Sequence, residues 1–72
     1  MKKTFLLEDL DCAHCAAKIE EEVRKIGGVN FANVNFIAQK MTVEAEDAEF
    51  DKITKEIKAV VKKIEPDCVV VD

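Results

Sequence analysis

Leu10-Asp11-Cys12-Ala13-His14-Cys15-Ala16-Ala17-Lys18-Ile19-Glu20 places a Cys-x-x-Cys pair at the mouth of an apolar stripe. From about Cys15 the apolar positions Ala16, Ile19, Val23 and Ile26 recur at spacings of three and four, the period of one buried helix face. Glu20, Glu21, Glu22, Arg24 and Lys25 take the opposite face. Gly27-Gly28 closes the helix, because glycine adopts the left-handed cap conformation at little steric cost.

Working outward, residues 3–10 set Phe5, Leu7 and Leu10 among Thr4, Glu8 and Asp9, a strand pattern. On the other side, Val29 to Phe36 alternates through Ala32, Val34 and Phe36, with Asn30, Asn33 and Asn35 outward. Ile37-Ala38-Gln39 reads as a turn, after which Met41, Val43 and Ala45 alternate with Lys40, Thr42 and Glu44. Two such runs with a short connection predict a hairpin. Asp47 is the expected cap of a second helix, whose stripe is Phe50, Ile53, Ile57, Val60 or Val61, and Ile64. Pro66 marks its end, and Cys68-Val69-Val70-Val71 supplies a last short strand. The order β-α-β-β-α-β predicts an α+β, ferredoxin-like fold, two helices on one face of a four-stranded antiparallel sheet. One domain over residues 1–72 is expected, with no linker, repeat or low-complexity segment.

Hydrophobic residues are 49% of the chain and charged residues 36%, which is globular composition. A core of this size rarely supplies more than about 3–5 kcal/mol without a staple, metal or partner. The formal charge of −4 argues against nucleic acid, whose phosphates need a basic face. The longest uncharged run is too short for direct membrane insertion. Phe5-Leu6-Leu7 after Lys2 and Lys3 begins like a secretory signal, but Glu8, Asp9 and Asp11 interrupt it at once, so a cytoplasmic location is expected. Three cysteines are an odd count, and in a reducing compartment the Cys-x-x-Cys reads as a working dithiol rather than a bridge.

At a helix start, unpaired backbone N–H groups and the positive end of the helix dipole favour thiolates. Thiolates capture soft or borderline metal ions and also attack disulfides, which leaves metal binding and redox exchange as the competing chemistries. Copper(I) is satisfied by two thiolates, whereas zinc and cadmium prefer at least four donors. A third ligand is therefore valuable for a divalent ion, and Asp11 adjoins the pair; a helix cap or a solvated loop carboxylate is the alternative. His14 lies between the cysteines, where side chains ordinarily point outward so that the sulfurs can converge; direct ligation, or transient ligation during metal transfer, is the alternative. Lys18 follows Cys15 by three residues, so its ammonium can lie on the same face one turn on and offset thiolate charge, with an ordinary solvated lysine as the alternative. Alternation with Val70 predicts that Cys68 faces the helices as a core residue, with a ligand role as the alternative. Phe31 and Ile37 are expected at exposed edge or loop positions. Glu20-Glu21-Glu22 against Lys52, Lys55, Lys58, Lys62 and Lys63 gives a charge asymmetry, read as solvated helix faces or a docking feature.

The pattern, with its Cys-x-x-Cys between first strand and first helix, resembles the heavy-metal-associated domain family across the whole chain. That family includes copper chaperones, mercury-binding proteins and N-terminal domains of heavy-metal-transporting P-type ATPases. Its loop commonly reads Gly-Met-Thr-Cys-x-x-Cys; here Asp9 replaces the glycine, Leu10 matches the methionine and Asp11 stands at the threonine. Ala16-Ala17-Lys18-Ile19-Glu20 and Gly28-Val29 also match. Asp-Cys-x-x-Cys is similar to the zinc/cadmium/lead-exporting branch of those ATPases. Glu65-Pro66-Asp67 occupies the stretch where copper carriers have a lysine and copper-ATPase domains often an aromatic residue. The resemblance implies a non-enzymatic domain that holds Zn2+, Cd2+ or Pb2+ through Cys12, Cys15 and Asp11. It would deliver the ion, or sense it, for a transporting ATPase, with the rest of that ATPase or a metal-transfer protein as partner. A copper(I) metallochaperone or copper-ATPase domain is the rival within metal binding, and mercury is chemically competent. A thiol-disulfide oxidoreductase is the rival from another class, although the element order does not look like thioredoxin.

Overall fold

The computed structural model describes residues 1–71. Strands β1 (Lys2–Glu8), β2 (Val29–Asn35), β3 (Lys40–Ala45) and β4 (Val69–Val71) enclose helices α1 (Ala13–Arg24) and α2 (Phe50–Ile64) in the predicted order. The sheet order is β2-β3-β1-β4, and every neighbouring pair is antiparallel. The chain has the ferredoxin-like α+β fold, with both helices packed on the sheet.

Alternation along the strands decides which face is covered. Phe5 and Leu7 of β1, Ala32 of β2, and Met41, Val43 and Ala45 of β3 are buried. They meet Ala16, Ile19 and Val23 from α1 and Phe50, Ile53, Ile57 and Val61 from α2 in one cluster. Phe5 lies directly across from Met41, so two large side chains on the central strands share the same level of the core. On the opposite face Leu6, Phe31, Val69 and Val71 are exposed, and Ile37 at the β2–β3 turn is 89% exposed.

Two contacts tie α1 to the edge strand β2. The Val34 N–H donates to the Glu20 carboxylate at 2.8 Å, and the Arg24 guanidinium donates to the Ala32 carbonyl at 3.0 Å. Part of the expected solvated acidic face therefore satisfies the backbone of an edge strand. Glu21 and Glu22 keep the surface role, with Lys25 at 3.8 and 3.7 Å. Gly28 has φ 97°, and a Cβ there would lie 3.3 Å from Ile53 Cδ1. Glycine at this turn supplies both the left-handed backbone and the close approach of α2.

The boundaries of the strands and the start of α2 depart from the expected ones in four places. β1 ends at Glu8, since Asp9 turns into the left-handed region at φ 63°, yet Leu10 is still fully buried. β2 ends at Asn35, whose side-chain oxygen accepts the Ala38 N–H at 3.0 Å and folds Phe36 into the turn. Asp47 is not the cap of α2: a 3-10 turn over Asp47–Glu49 leads into the helix, and Asp47 instead lies 3.5 Å from the Met1 amino group. β4 begins at Val69, leaving Cys68 just before it, with its N–H donating to the Glu65 carbonyl at 3.0 Å.

Cys68 is 6% exposed and belongs to the core cluster. Burial, with the charges of Glu65 and Asp9, raises its thiol pKa and keeps it protonated. Cys68→Val should preserve the far-ultraviolet circular dichroism and metal stoichiometry, and change unfolding free energy by less than about 1.5 kcal/mol. Loss of a metal equivalent in a titration of that variant would overturn the core assignment.

Candidate metal centre

The loop that carries the cysteine pair is fixed before the first thiol. Asp9 adopts a left-handed backbone that aspartate tolerates better than most residues. Leu10 anchors the loop in the core, and its carbonyl accepts the Gln39 side-chain amide at 2.6 Å. Gln39 reaches over from the β2–β3 turn, where it also sits at a positive φ of 54° and accepts the Leu7 N–H through its carbonyl at 2.8 Å. The sequence places Gln39 in a turn but gives no sign that it braces the site, because the contact joins residues far apart in the chain.

Cys12 is the N-cap of α1, extended at φ −122°, ψ 112°. Its carbonyl accepts the first helical bond from Ala16 at 3.0 Å, and its Sγ accepts the Cys15 N–H at 3.2 Å. The helix thus starts at Ala13, earlier than the apolar stripe suggests, because a sulfur takes the capping role usually filled by Ser, Thr, Asp or Asn. Cys15 falls within the first turn, bringing both thiols to one end of the helix. Each is half-buried, open enough for exchange.

The two thiols are electronically unequal. Hydrogen bonds from the Cys15 thiol, from the Cys15 N–H and from the His14 N–H lower the Cys12 pKa, against partial desolvation and the charge of Glu65. The Cys15 thiol is raised to about 11, first by donating to Cys12, then by desolvation and the Cys12 charge, and further by the Glu65 carboxylate. Negative charge on the pair is favoured at Cys12 over Cys15.

Asp11 is exposed, between buried Leu10 and half-buried Cys12. It does not cap α1, since Cys12 does. His14 lies in the first turn and faces a groove between α1 and α2, together with Cys15 and Lys18. Among the described residues, no three His, Cys, Asp or Glu side chains form a preset metal cluster. Glu65, at the C-cap of α2, is the added feature: its carboxylate acts on Cys12, Cys15 and Cys68 alike. In sequence it reads only as part of the Glu65-Pro66-Asp67 loop, since nothing local shows that α2 ends beside the cysteines.

A ferredoxin-like sandwich presenting a dithiol at the start of its first helix defines a class of small soft-metal-binding modules. The heavy-metal-associated domain profile matches residues 4–67, and the chain belongs to that family of metal-binding, non-catalytic modules. It is 41% identical over 66 residues to the cadmium, zinc and cobalt-transporting ATPase of Bacillus subtilis, covering 92% of this chain and 9% of that protein. It is 38% identical over 48 residues to the copper chaperone CopZ of Enterococcus hirae, covering 67% of this chain and 70% of that one. The solution structure of the N-terminal domain of ZntA in the Zn(II) form superposes with a TM-score of 0.75 at 28% identity, covering 99% and 88% of the two chains. The chain therefore spans a small part of the ATPases it matches and most of the chaperone. Among the described residues, no helix is long and apolar enough to cross a membrane.

Protons on these thiols would compete with an ion that takes both sulfurs. Between the lowered Cys12 value and about 11, an ion that takes both sulfurs must displace the Cys15 proton. Apparent affinity should then rise about tenfold per pH unit, and more steeply once Cys12 is also protonated at lower pH. Competition against a chelator of known pH dependence measures the slope; a flat profile would contradict uptake by both sulfurs.

Proposed function

We propose that this domain binds a divalent soft or borderline ion, Zn2+, Cd2+ or Pb2+, and passes it to, or senses it for, a heavy-metal-transporting P-type ATPase. Cys12 and Cys15 are the sulfur donors in this reading, and Asp11 supplies an oxygen donor. The feature that carries it is Asp11, the carboxylate immediately before Cys12 in the chain, with Glu65 as a second negative charge toward the thiols. Two thiolates already satisfy copper(I), and further anions add little to a monovalent ion. A dication gains about twice as much from each nearby charge, and it has coordination positions that carboxylate oxygen can fill.

Similarity to the cadmium, zinc and cobalt-transporting ATPase supports the divalent reading, while similarity to CopZ keeps copper(I) as the competing outcome. Half-buried thiols suit hand-over, because an incoming thiolate or carboxylate can replace one donor at a time. Transport itself would belong to a longer protein, of which this chain matches only a small part in the ATPase relatives.

Competitive titration of the reduced protein with zinc, cadmium and copper(I) tests the proposal in Asp11→Ala, Asp11→Thr and Glu65→Gln variants. Divalent affinity should fall about tenfold, or ~1.4 kcal/mol, in Asp11→Ala and Asp11→Thr, and should also fall in Glu65→Gln. Copper(I) affinity should change little. Unchanged divalent affinity in Asp11→Ala would remove the carboxylate from the ligand set, and an equal loss for copper(I) would remove the basis for a divalent preference.

A further inference from the structure

Gln39 touches the chain on both sides of the bend that leads into the metal loop. Its carbonyl accepts the Leu7 N–H at 2.8 Å, and its side-chain amide donates to the Leu10 carbonyl at 2.6 Å. Between those two points Asp9 turns at φ 63°, so one residue of the β2–β3 turn clasps the bend from end to end. The clasp is itself set in place. Gln39 is half-buried at φ 54°, and the Asn35 side chain holds the same turn by accepting the Ala38 N–H at 3.0 Å. A carbonyl needs a donor opposite it, and the amide nitrogen of glutamine supplies one from an uncharged side chain.

The clasp bears on Asp11 through the peptide bond. A trans peptide is planar, so holding the Leu10 oxygen also holds the Asp11 nitrogen in the same plane. On the other side of Asp11, Cys12 is fixed as the cap of α1 at φ −122° and ψ 112°, with its carbonyl on the Ala16 N–H. Asp11 thus hangs between a pinned peptide and a pinned residue, and its backbone has little room to swing although its side chain is exposed. The two thiols owe their placement to the helix cap, in which the Cys15 N–H meets the Cys12 sulfur at 3.2 Å without any part for Gln39. We propose that Gln39 is a positioning residue for Asp11, aiming its carboxylate at an ion held by the two sulfurs and so favouring a divalent ion over copper(I). The inference rests on the reading in which Asp11 is an oxygen donor. Without the amide donor the thiols keep their places, while Asp11 must be ordered as the ion binds, and that ordering subtracts from divalent affinity.

Zinc and copper(I) affinities of the reduced protein, measured by competition with chelators, test this in Gln39→Met, Asp11→Ala and the double variant. Methionine keeps the unbranched stem and the backbone carbonyl that Leu7 uses, but has no group to donate. Gln39→Met should lower zinc affinity about fivefold and change copper(I) affinity less than about twofold, since the ordering cost falls on the carboxylate alone. In the Asp11→Ala background the same substitution should have no further effect on zinc, because the group it positions is gone. The intensity of sulfur-to-cadmium charge-transfer absorbance in the loaded protein should be the same in every variant, as an intact sulfur pair requires. A fall shared by zinc and copper(I), a change of that absorbance in Gln39→Met, or a zinc loss that persists in the Asp11→Ala background would make Gln39 a support of the whole loop and overturn the assignment. Full zinc affinity in Gln39→Met beside a loss in Asp11→Ala would overturn it while leaving the carboxylate donor standing. Full zinc affinity in Asp11→Ala would instead remove the donor itself, and with it the reading on which the role of Gln39 rests.

Discussion

The site depends on one hydrogen bond, the Cys15 N–H donating to the Cys12 sulfur at 3.2 Å. It makes a cysteine the cap of α1, and so couples the start of the helix to the position of the first thiol. The same contact favours charge on Cys12, because an N–H aimed at sulfur stabilises thiolate over thiol. Cys15 is held in the first turn by the helix it helps to start. Disturbing the cap would therefore alter local structure, thiol spacing and thiol charge together.

Around this cap, the rest of the fold acts as support. Leu10 fixes the loop from the core side, Gln39 fixes its carbonyl from the neighbouring turn, and Asp9 absorbs the sharp change of direction. On the far side the end of α2 brings Glu65 toward the thiols, and Pro66 follows where the chain leaves the helix. The sheet supplies the rigid base, since Phe5, Leu7, Met41 and Val43 are all fully buried beneath the helices. A site braced on one side and open on the other suits an ion that must be held selectively yet released by ligand exchange.

Periodicity made most of this architecture legible. Ala16, Ile19 and Val23 mark the inner face of α1, and Phe50, Ile53, Ile57 and Val61 that of α2, because burial acts on every turn of an amphipathic helix. The alternation through Met41, Val43 and Ala45 likewise locates β3. What stayed hidden lay in single contacts at the ends of elements. Cysteine is an uncommon cap, so the start of α1 is misplaced by an apolar stripe that begins at Ala16. Asp47 has the composition of a cap, yet the chain makes a 3-10 turn there before α2 begins. Glu20 looks like one member of an acidic surface run, whereas it satisfies the Val34 N–H on an edge strand. Gln39 and Glu65 reach the site only through tertiary packing, which no local pattern encodes.

The central claim is that Cys12 and Cys15 share a divalent ion with carboxylate oxygen. X-ray absorption spectroscopy of the zinc-loaded protein, prepared without small thiols, reads the ligand shell directly. The account predicts two sulfurs at about 2.3 Å together with oxygen donors at about 2.0–2.2 Å. A shell without sulfur, or one filled by four sulfurs, would contradict it.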